Sequence, residues 1–289
     1  MSQSPVLYQR QGAYIPRVAA VHDMCGYGKC SLGVAIPILS AAGCDVCPVP
    51  TGLFSSHTAF PGWYMHDTTE MLSDYLDAWA HIGVEIDAVY SGFLGAPEQV
   101  DRIRDIYTAY PDALRVVDPV MADHGKVYPT YTPELCAAMA ELACGADILT
   151  PNLTEAAIIL GEEWTGTDIN DAEAQRIIEA LLAKGAKHVV LKGIQREGDG
   201  VIRNFVAGES CSFFEAKNKY LPYMLHGTGD LYCSCLLAAI MAGRTLQNAV
   251  EFAGNFVHDA MIVSAQQPDF ENRGVSFEPL IGHVAELLQ

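Results

Sequence analysis

The stretch Arg17-Val-Ala-Ala-Val-His22 sets the pattern that decides the fold. A short apolar run of this kind predicts a buried strand, and a glycine-containing loop and a helical pattern over residues 31–42 follow it. The same alternation of strand and helix continues through most of the chain. Because it is typical of a parallel sheet with helices on both faces, we predict an α/β fold with a mostly parallel, doubly wound central sheet.

The other predicted elements follow this alternation until a hairpin interrupts it. Strands are expected at 45–50, 86–91, 114–117, 146–150 and 188–191, and helices at 67–81, 97–110, 132–143 and 170–184. A hairpin is expected over 200–206 and 211–215, followed by helices at 230–242, 246–265 and 278–288. We find no internal repeat or low-complexity linker, so we predict an N-terminal extension (1–16) and a single domain (17–289). The segment 48–63, rich in Pro, Gly and Ser, is predicted to form a small flap.

The composition excludes several classes of protein and partner. Half of the 289 residues are hydrophobic and 18% are charged, which is typical of a globular chain. The formal net charge is −18, from 35 acidic and 17 basic residues, and the sequence has no basic patch. Such a chain repels nucleic acid and anionic membranes, so we expect neither as a partner, and an anionic ligand must be held by local features.

The cysteines and the lack of targeting signals bear on the compartment. No apolar run approaches the roughly 20 residues that span a bilayer, and residues 1–17 lack the apolar core of a signal peptide. The nine cysteines are an odd number in a chain too long to depend on disulfides, so we interpret them as reduced structural thiols. The expected location is the cytoplasm.

The sequence His226-Gly227-Thr228-Gly229-Asp230 is the strongest functional signal, and the apolar run 231–241 follows it directly. Glycines at a helix start leave backbone N–H groups free, and these groups and the helix dipole favour bound anions such as phosphate. Asp230 would lie beside the anion, where it can take the proton of a hydroxyl that attacks a phosphoryl group. The alternative is that Asp230 only caps the helix, but capping does not require the pair of glycines.

Polar residues follow five of the predicted strands. In doubly wound sheets, ligands bind outside the carboxyl ends of the strands, so these residues are candidates for one binding site. Each of them alone is also typical of a turn. The five strands end at or run into Asp23, Gly92, Asp118, the segment Thr150-Pro151-Asn152, and Lys192.

Three side chains near these strand ends suit a nucleotide and its metal ion. Glu155 is placed to bind Mg²⁺ through water, or to complete the capping box of a helix that begins at Asn152. Asp118 is either a turn residue or an electrostatic partner of hydrated metal. Lys192 can reach a nucleotide phosphate, or it is a surface lysine whose stem packs on apolar neighbours.

Other patterns carry less weight. The segment 26–31, Gly-Tyr-Gly-Lys-Cys-Ser, is not a P-loop, because positions 23 and 30 are not Gly and Ser or Thr, and it lacks the third glycine of a dinucleotide fingerprint. Lys217 and Lys219 are further phosphate candidates, although lysines in a solvated loop are ordinary. The histidines are not at metal-ligand spacing.

The motifs taken together resemble the ribokinase-like superfamily, and within it the pyridoxal kinases. They are TPNLTEA (150–156), VLKG (190–193), HGTGD (226–230) and DPVM (118–121), the last within DPVMADHGKVY (118–128), together with SGFLG (91–95). The resemblance extends from about Val18 to the C-terminal helices. It implies a mainly parallel sheet flanked by helices, usually assembled as a homodimer.

The resemblance also implies an activity. It implies ATP-dependent phosphorylation of the 5′-hydroxymethyl group of pyridoxal, pyridoxine or pyridoxamine. The implied cofactors are ATP and Mg²⁺, while dependence on a monovalent cation stays open. The small-molecule partners are therefore a B6 vitamer and ATP.

Residue roles follow from the same resemblance. Asp230 matches the catalytic base, and the family's anion hole corresponds to Gly227, Thr228 and Gly229. The positions on the side of the nucleotide and metal correspond to Asp118, Thr150, Asn152, Glu155 and Lys192. Of these, the metal-side pair is Asp118 and Glu155. Positions that contact the pyridine substrate correspond to Asp23 and Thr58.

Two departures leave alternatives open. Residues 24–30 differ from the loop of well-studied pyridoxal kinases, in which position 23 is often Ser, so the preferred vitamer is not fixed. HGTGD also resembles hydroxymethylpyrimidine kinases of thiamine synthesis, which carry Cys where this chain has Asp230. A kinase of hydroxymethylpyrimidine or another small alcohol is one alternative. The other is a non-catalytic vitamer-binding protein, which the intact Asp230 disfavours.

Overall fold

The computed structural model describes residues 4–289, and its helices and strands alternate along most of that range. The strands are β1 (Arg17–Cys25), β2 (Asp45–Phe54), β3 (Met65–Asp67), β4 (Ala88–Ser91), β5 (Leu114–Val117), β6 (Ala122–Asp123), β7 (Lys126–Val127), β8 (Ile148–Leu149), β9 (His188–Gln195), β10 (Val201–Gly208) and β11 (Cys211–Lys219). The helices are α1 (Leu32–Ala41), α2 (Thr69–Ile82), α3 (Glu98–Ala109), α4 (Pro133–Ala143), α5 (Leu153–Leu160), α6 (Asp171–Ala183), α7 (Thr228–Met241), α8 (Leu246–Ser264), α9 (Phe270–Arg273) and α10 (Ile281–Ala285).

Nine of the strands form one sheet in the order β11-β10-β9-β8-β5-β4-β1-β2-β3. The six strands from β9 to β2 in this order are mutually parallel, and β3, β10 and β11 pair antiparallel at the two edges. Strands β6 and β7 form a separate small hairpin. This architecture confirms the predicted mostly parallel α/β fold, and it brings the carboxyl ends of β1, β5, β8 and β9 to one edge of the sheet.

Two apolar layers cover the faces of the sheet. Side chains alternate between faces along a strand, so Val116 packs into one layer and its neighbour Val117 into the other. One layer includes Leu72 of α2 and Met139 of α4, and the other includes Leu236 of α7. Every residue of α7 from 230 to 241 is buried, because the helix packs against α1 and α8 and its side chains join the apolar layer on one face of the sheet. Burial on all sides explains why residues 231–241 are apolar without a polar face.

The structure corrects several predicted boundaries on the first strands. Strand β1 continues to Cys25, so Asp23 lies within the strand rather than at its end. Strand β2 continues to Phe54 and therefore includes part of the predicted flap 48–63, leaving 55–64 as a loop before β3. Pro48 and Pro50 both lie inside this strand. They are tolerated because β3 pairs only with residues 52–54, so the outer edge of β2 is free before that point.

The C-terminal part also differs from the prediction. The expected helix 278–288 is a 3₁₀ turn, Glu278–Leu280, the short helix α10 and a second 3₁₀ turn, Glu286–Leu288. Gly282 lies in the middle of this segment, where glycine weakens a regular helix. Helix α7 begins at Thr228, two residues before the predicted start.

The segment before β1 contacts several parts of the chain. Val6 pairs with Thr245 in an isolated bridge, and the Arg10 guanidinium donates hydrogen bonds to the carbonyls of Ala42 and Gly43 at 3.2 and 3.0 Å. Among the described helices, none is long and apolar enough to cross a membrane.

Candidate functional site

The first turn of α7 has the backbone of an anion site. Gly227 precedes the helix with φ 81°, and an added Cβ would meet the Lys29 carbonyl oxygen at 1.8 Å, so only glycine fits there. The Thr228 hydroxyl donates backwards to the Leu225 carbonyl at 3.1 Å. Within residues 4–289 no side chain caps this helix, so its first N–H groups can serve a ligand.

The Asp230 carboxylate lies in this first turn and is buried. Its Oδ2 accepts a hydrogen bond from the Ser31 backbone N–H at 2.9 Å, while Oδ1 has no partner among the described residues. Burial, with a smaller contribution from the charges of Asp118 and Asp23, raises the pKa of Asp230 to about 7, against the opposing effects of the Ser31 hydrogen bond and Lys192. A carboxylate with this pKa suits proton transfer near neutral pH.

A second acid, Asp23, belongs to the same cluster. The pairing of β1 with β2 shifts register between His22 and Met24, and an irregularity of this kind re-aims the side chain at the shift. Asp23 is buried, and burial raises its pKa to about 6, although a hydrogen bond from the Ser31 side chain lowers it. The structure therefore brings two predicted acids together from distant parts of the sequence.

Asp118 and Thr150 directly follow β5 and β8, whereas Lys192 lies within β9, which continues four residues past its predicted end at 191, so the predicted place of Lys192 at a strand end is wrong. The three side chains nevertheless meet. The Lys192 Nζ lies 2.7 Å from Oδ1 of Asp118, and the Thr150 hydroxyl donates to the same oxygen at 2.9 Å. Burial opposes the charge of Lys192, but the carboxylates of Asp118 and Glu155 raise its pKa above the usual range. Lys192 therefore stays cationic. A Cβ built on Gly229 would lie 4.0 Å from Nζ, so this cation is beside the α7 N-terminus.

Glu155 and Asn152 form the N-terminal capping box of α5. The Asn152 side chain accepts hydrogen bonds from the Thr154 and Glu155 N–H groups, and Glu155 Oε2 accepts from the Asn152 N–H at 2.8 Å. Glu155 Oε1 accepts from the Met121 N–H at 3.3 Å. Burial raises the pKa of Glu155 to about 8. The capping alternative is thus realised, and the metal role of Glu155 stays a prediction.

The predicted substrate contact Thr58 lies exposed in a turn of the loop 55–64. Its neighbour His57 is buried, and the His57 ring lies 4.5 Å from that of His226. The His57 Nε2 is 2.9 Å from the Asn272 carbonyl, and Nδ1 accepts from the Ala59 N–H. His57 therefore donates through Nε2 and links this loop to α9. The role of Thr58 itself stays a prediction.

Sequence reasoning missed Ser31 and His57 as members of the site. Ser31 lies just after a glycine-rich segment that matches no known phosphate loop, and His57 was considered only as a metal ligand. Lys217, a predicted phosphate candidate, forms an ion pair with Glu215 at 2.9 Å, and Lys219 is exposed on β11. All nine cysteines are free thiols.

Comparisons with known proteins agree with this geometry. A family model described as phosphomethylpyrimidine kinase matches residues 38–273. The pyridoxal kinase PdxY of Pasteurella multocida is 30% identical over 280 residues, covering 88% of this chain and 91% of the relative. A similar PdxY from Pseudomonas aeruginosa is 28% identical and covers 93% of this chain and 95% of the relative.

Solved structures agree as well. A crystal form, with pyridoxal, of a provisionally assigned phosphomethylpyrimidine kinase from Bacteroides thetaiotaomicron has a TM-score of 0.90 at 31% identity, over 94% of this chain and 96% of that chain. The pyridoxal kinase of Lactobacillus plantarum has a TM-score of 0.87 at 26% identity, over 95% and 98% of the two chains. These matches confirm the resemblance to pyridoxal kinases inferred from the motifs. The chain belongs to the family of phosphomethylpyrimidine and pyridoxal kinases.

Proposed function

We propose that this protein is an ATP-dependent kinase that phosphorylates the 5′-hydroxymethyl group of a B6 vitamer. The observation that carries the proposal is the buried Asp230 carboxylate at the start of α7, whose Oδ1 is unpartnered among residues 4–289. The substrate class is supported by relatives named pyridoxal kinase and by a similar structure described with pyridoxal.

Asp230 acts as the general base. Its Oδ2 is held by the Ser31 N–H, so Oδ1 is the oxygen that accepts the proton of the vitamer hydroxyl. The hydroxyl oxygen then attacks the γ-phosphorus of ATP, the bond to the bridging oxygen breaks, and ADP leaves. A pKa of about 7 leaves a substantial fraction of Asp230 ionised near neutral pH.

The start of α7 and Lys192 receive the negative charge of the phosphoryl group. Gly227, Thr228 and Gly229 supply backbone N–H groups at the positive end of the helix dipole, and the Lys192 ammonium lies beside them. A single donor of this kind is typically worth about 3 kcal/mol in a transition state. These groups offset the chain's overall charge of −18 at the point where an anion must bind.

The donor set also fits a hydrated Mg²⁺. Asp118 Oδ2 is buried and has no hydrogen-bond partner within the described residues, so it suits a metal-bound water. Mg²⁺ commonly binds through one or two carboxylates together with substrate phosphates, and it would neutralise phosphate charge here. No cluster of three or more His, Cys, Asp or Glu residues is arranged for a metal between residues 4 and 289. Asp118 would hold the ion, and Glu155 is the second acid that we propose for the metal side.

We assign Asp23 and Thr58 to binding of the vitamer. We assign Thr150 and Asn152 to binding of the nucleotide. Asp23 shares the buried cluster of Asp230, which supports its contact with the vitamer. The loop 55–64 carries Thr58 and lies next to His226, so it is placed to exclude water from the reacting groups.

Hydroxymethylpyrimidine is the second candidate substrate. It is favoured by the family model, which is described as phosphomethylpyrimidine kinase. Asp230 favours the B6 vitamers as substrates, because the hydroxymethylpyrimidine kinases that HGTGD resembles carry Cys at this position.

A panel of ADP-release assays separates the two candidates. Pyridoxal, pyridoxine, pyridoxamine and hydroxymethylpyrimidine are each supplied with ATP and Mg²⁺, with and without K⁺. We expect turnover with at least one vitamer, and identification of its 5′-phosphate by mass. Turnover with hydroxymethylpyrimidine alone would replace the proposal, and vitamer binding without ADP release would favour a non-catalytic protein.

We also propose a homodimer, a single kinase domain over residues 17–289 and a cytoplasmic location. The edge strand β3 has one unpaired side, and Leu53 and Tyr64 nearby are 44% and 66% exposed, which suits contact with a second copy. The nine free thiols suit a reducing compartment. Light scattering of the purified chain tests the dimer.

A further inference from the structure

Ser31 has a backbone conformation that normally belongs to glycine. Its φ of 52° and ψ of −130° lie in the left-handed half of the map, which is costly for a residue with a Cβ. Three other non-glycine residues of the described chain have positive φ, and all three are exposed: His124, Ser210 and Asp269. Ser31 is 4% exposed. The strained backbone of Ser31 therefore lies in the buried site, and a role of this residue should explain why the strain is tolerated.

Helix capping does not supply that reason. Ser31 stands at the position before α1 where a serine hydroxyl usually accepts a hydrogen bond from the helix, but its side chain makes no capping bond. The hydroxyl instead interacts with the Asp23 carboxylate, whose pKa it lowers. The backbone N–H of the same residue donates to Oδ2 of Asp230 at 2.9 Å.

One residue thus joins the two acids of the site. A glycine at position 31 could adopt the same φ and ψ and keep the N–H bond to Asp230, but it would lose the bond to Asp23. The presence of a strained serine where glycine would fit without strain therefore points to a role for the hydroxyl. We propose that Ser31 is a positioning residue: its N–H fixes Oδ2 of Asp230 so that Oδ1 faces the substrate hydroxyl, and its O–H fixes Asp23 against the same substrate. This inference rests on the proposed function of Asp230 as the base.

The charged and titratable neighbours of the two acids define what else acts on them. Asp118, just after β5, and Lys192, within β9, act on Asp230 with opposite signs. The Cys25 thiol, which donates to the Tyr27 carbonyl at 3.2 Å, and the Cys30 thiol are close enough to both acids for the acids' charges to act on them. Lys192 is the one cation among these interactions, and the Ser31 interactions lower the pKa of both acids against the larger effect of burial.

The test compares Ser31→Gly with Ser31→Ala. Glycine removes both the hydroxyl and the strain, whereas alanine removes the hydroxyl and keeps the strain. We expect both variants to lose about tenfold in kcat with the preferred vitamer, as small misplacements of reacting groups do, while KM for ATP changes less than twofold. Ser31→Gly should melt at or above the wild-type temperature, and Ser31→Ala should not exceed it.

The pH profile adds a readout that a purely structural role would not change. The Ser31 hydroxyl lowers the pKa of Asp23, so its loss raises the combined proton affinity of the two neighbouring acids. The acidic limb of kcat/KM should therefore move to higher pH in both variants. Ser210→Gly is the matched control, because Ser210 has φ 55° in the exposed turn between β10 and β11. Relief of the backbone strain at this position should leave the activity and the pH profile unchanged.

The outcomes separate this inference from the proposed function. If Asp230→Asn is inactive while both Ser31 variants keep wild-type kcat and an unmoved acidic limb, the role of Ser31 is overturned and the proposed function stands. If the activity of the Ser31 variants only follows their melting temperatures, Ser31 is structural and the inference also fails. If Asp230→Asn retains wild-type turnover, the proposed function fails first.

Discussion

The Lys192 ammonium lies 2.7 Å from Oδ1 of Asp118, and Oδ2 of the same carboxylate has no partner among residues 4–289. The two side chains are 12% and 2% exposed, so this ion pair is largely shielded from water. Breaking a buried pair from one side leaves an uncompensated charge, which costs far more than losing a surface pair. The ion pair thus has a structural role, and it also provides a cation beside the N-terminus of α7.

Lys192→Met should therefore lower both stability and nucleotide affinity. We expect a loss of about 3 kcal/mol in the free energy of unfolding, because Asp118 is left buried without its cation. KM for ATP should rise at least tenfold, since a phosphate ligand also disappears. Urea titration and steady-state kinetics measure the two effects.

Lys187→Met is the matched control for this change. Lys187 lies 2.7 Å from Asp147, the same separation, but its side chain is 55% exposed. Exposed pairs of this kind contribute at most about 1 kcal/mol. An equal KM for ATP in the Lys192 and Lys187 variants would show that Lys192 does not serve the nucleotide.

The positions of Asp118, Lys192 and Asp230 could be predicted from the sequence because each depends on local pattern. Apolar runs locate the strands, their carboxyl ends meet at one edge, and glycines mark the start of a helix. Lys192 and Asp118 are 74 residues apart, yet β9 and β5 are parallel strands separated only by β8, so a doubly wound sheet brings such positions together.

The contacts of Ser31 and His57 could not be predicted in this way. Ser31 reaches Asp230 across 199 residues, and His57 reaches Asn272 across 215. These contacts depend on how loops pack outside the sheet, and loop packing has no periodic signature. The positive φ of Ser31 could not be predicted either, because sequence patterns indicate a left-handed backbone mainly at glycine.

Asp230→Asn should separate chemistry from binding. Asparagine keeps the shape and can still accept from the Ser31 N–H, but it is a far weaker base, so kcat should fall by about 10²- to 10⁴-fold. ATP should still raise the melting temperature as in the wild type. Asp259→Asn, at an exposed position on α8, controls for the substitution itself. Turnover within tenfold of wild type would exclude Asp230 as the base.

The raised pKa of Asp230 gives a stability signature with a defined sign. The carboxyl titrates near 3.8 when unfolded and near 7 when folded, so between these values the folded state binds a proton that the unfolded state has lost. The free energy of unfolding therefore falls as pH rises from about 4 to about 7. Melting curves from pH 5 to 8 should decline less in Asp230→Asn. Identical slopes would contradict the shift, since Asp23 and Glu155 titrate in both proteins.

The same pKa predicts the pH dependence of catalysis. The base must be ionised, so kcat/KM for the vitamer should rise with pH and level off above an apparent pKa near 7. Since Asp23 has a pKa of about 6 nearby, the limb belongs to the coupled pair. A profile that is flat from pH 5.5 to 8 would argue against a carboxylate base of raised pKa.

Gly227→Ala tests the backbone of the anion site. At φ 81° a Cβ is strained, and it would also meet the Lys29 carbonyl oxygen at 1.8 Å, so the loop 24–30 and the first turn of α7 must separate. Gly83→Ala is the matched control: Gly83 has φ 67° at the end of α2, with nothing within 4 Å of an added Cβ. Gly83→Ala should lose about 1 kcal/mol of stability from the strained φ alone, and Gly227→Ala should lose more, because the clash adds to the same strain. Only Gly227→Ala should lose most of its kcat and of the rise in melting temperature that ATP causes. The reason is that the N–H groups of the first turn of α7 move away from the phosphate. Equal kinetics in the two variants would show that the glycine at 227 serves the fold alone.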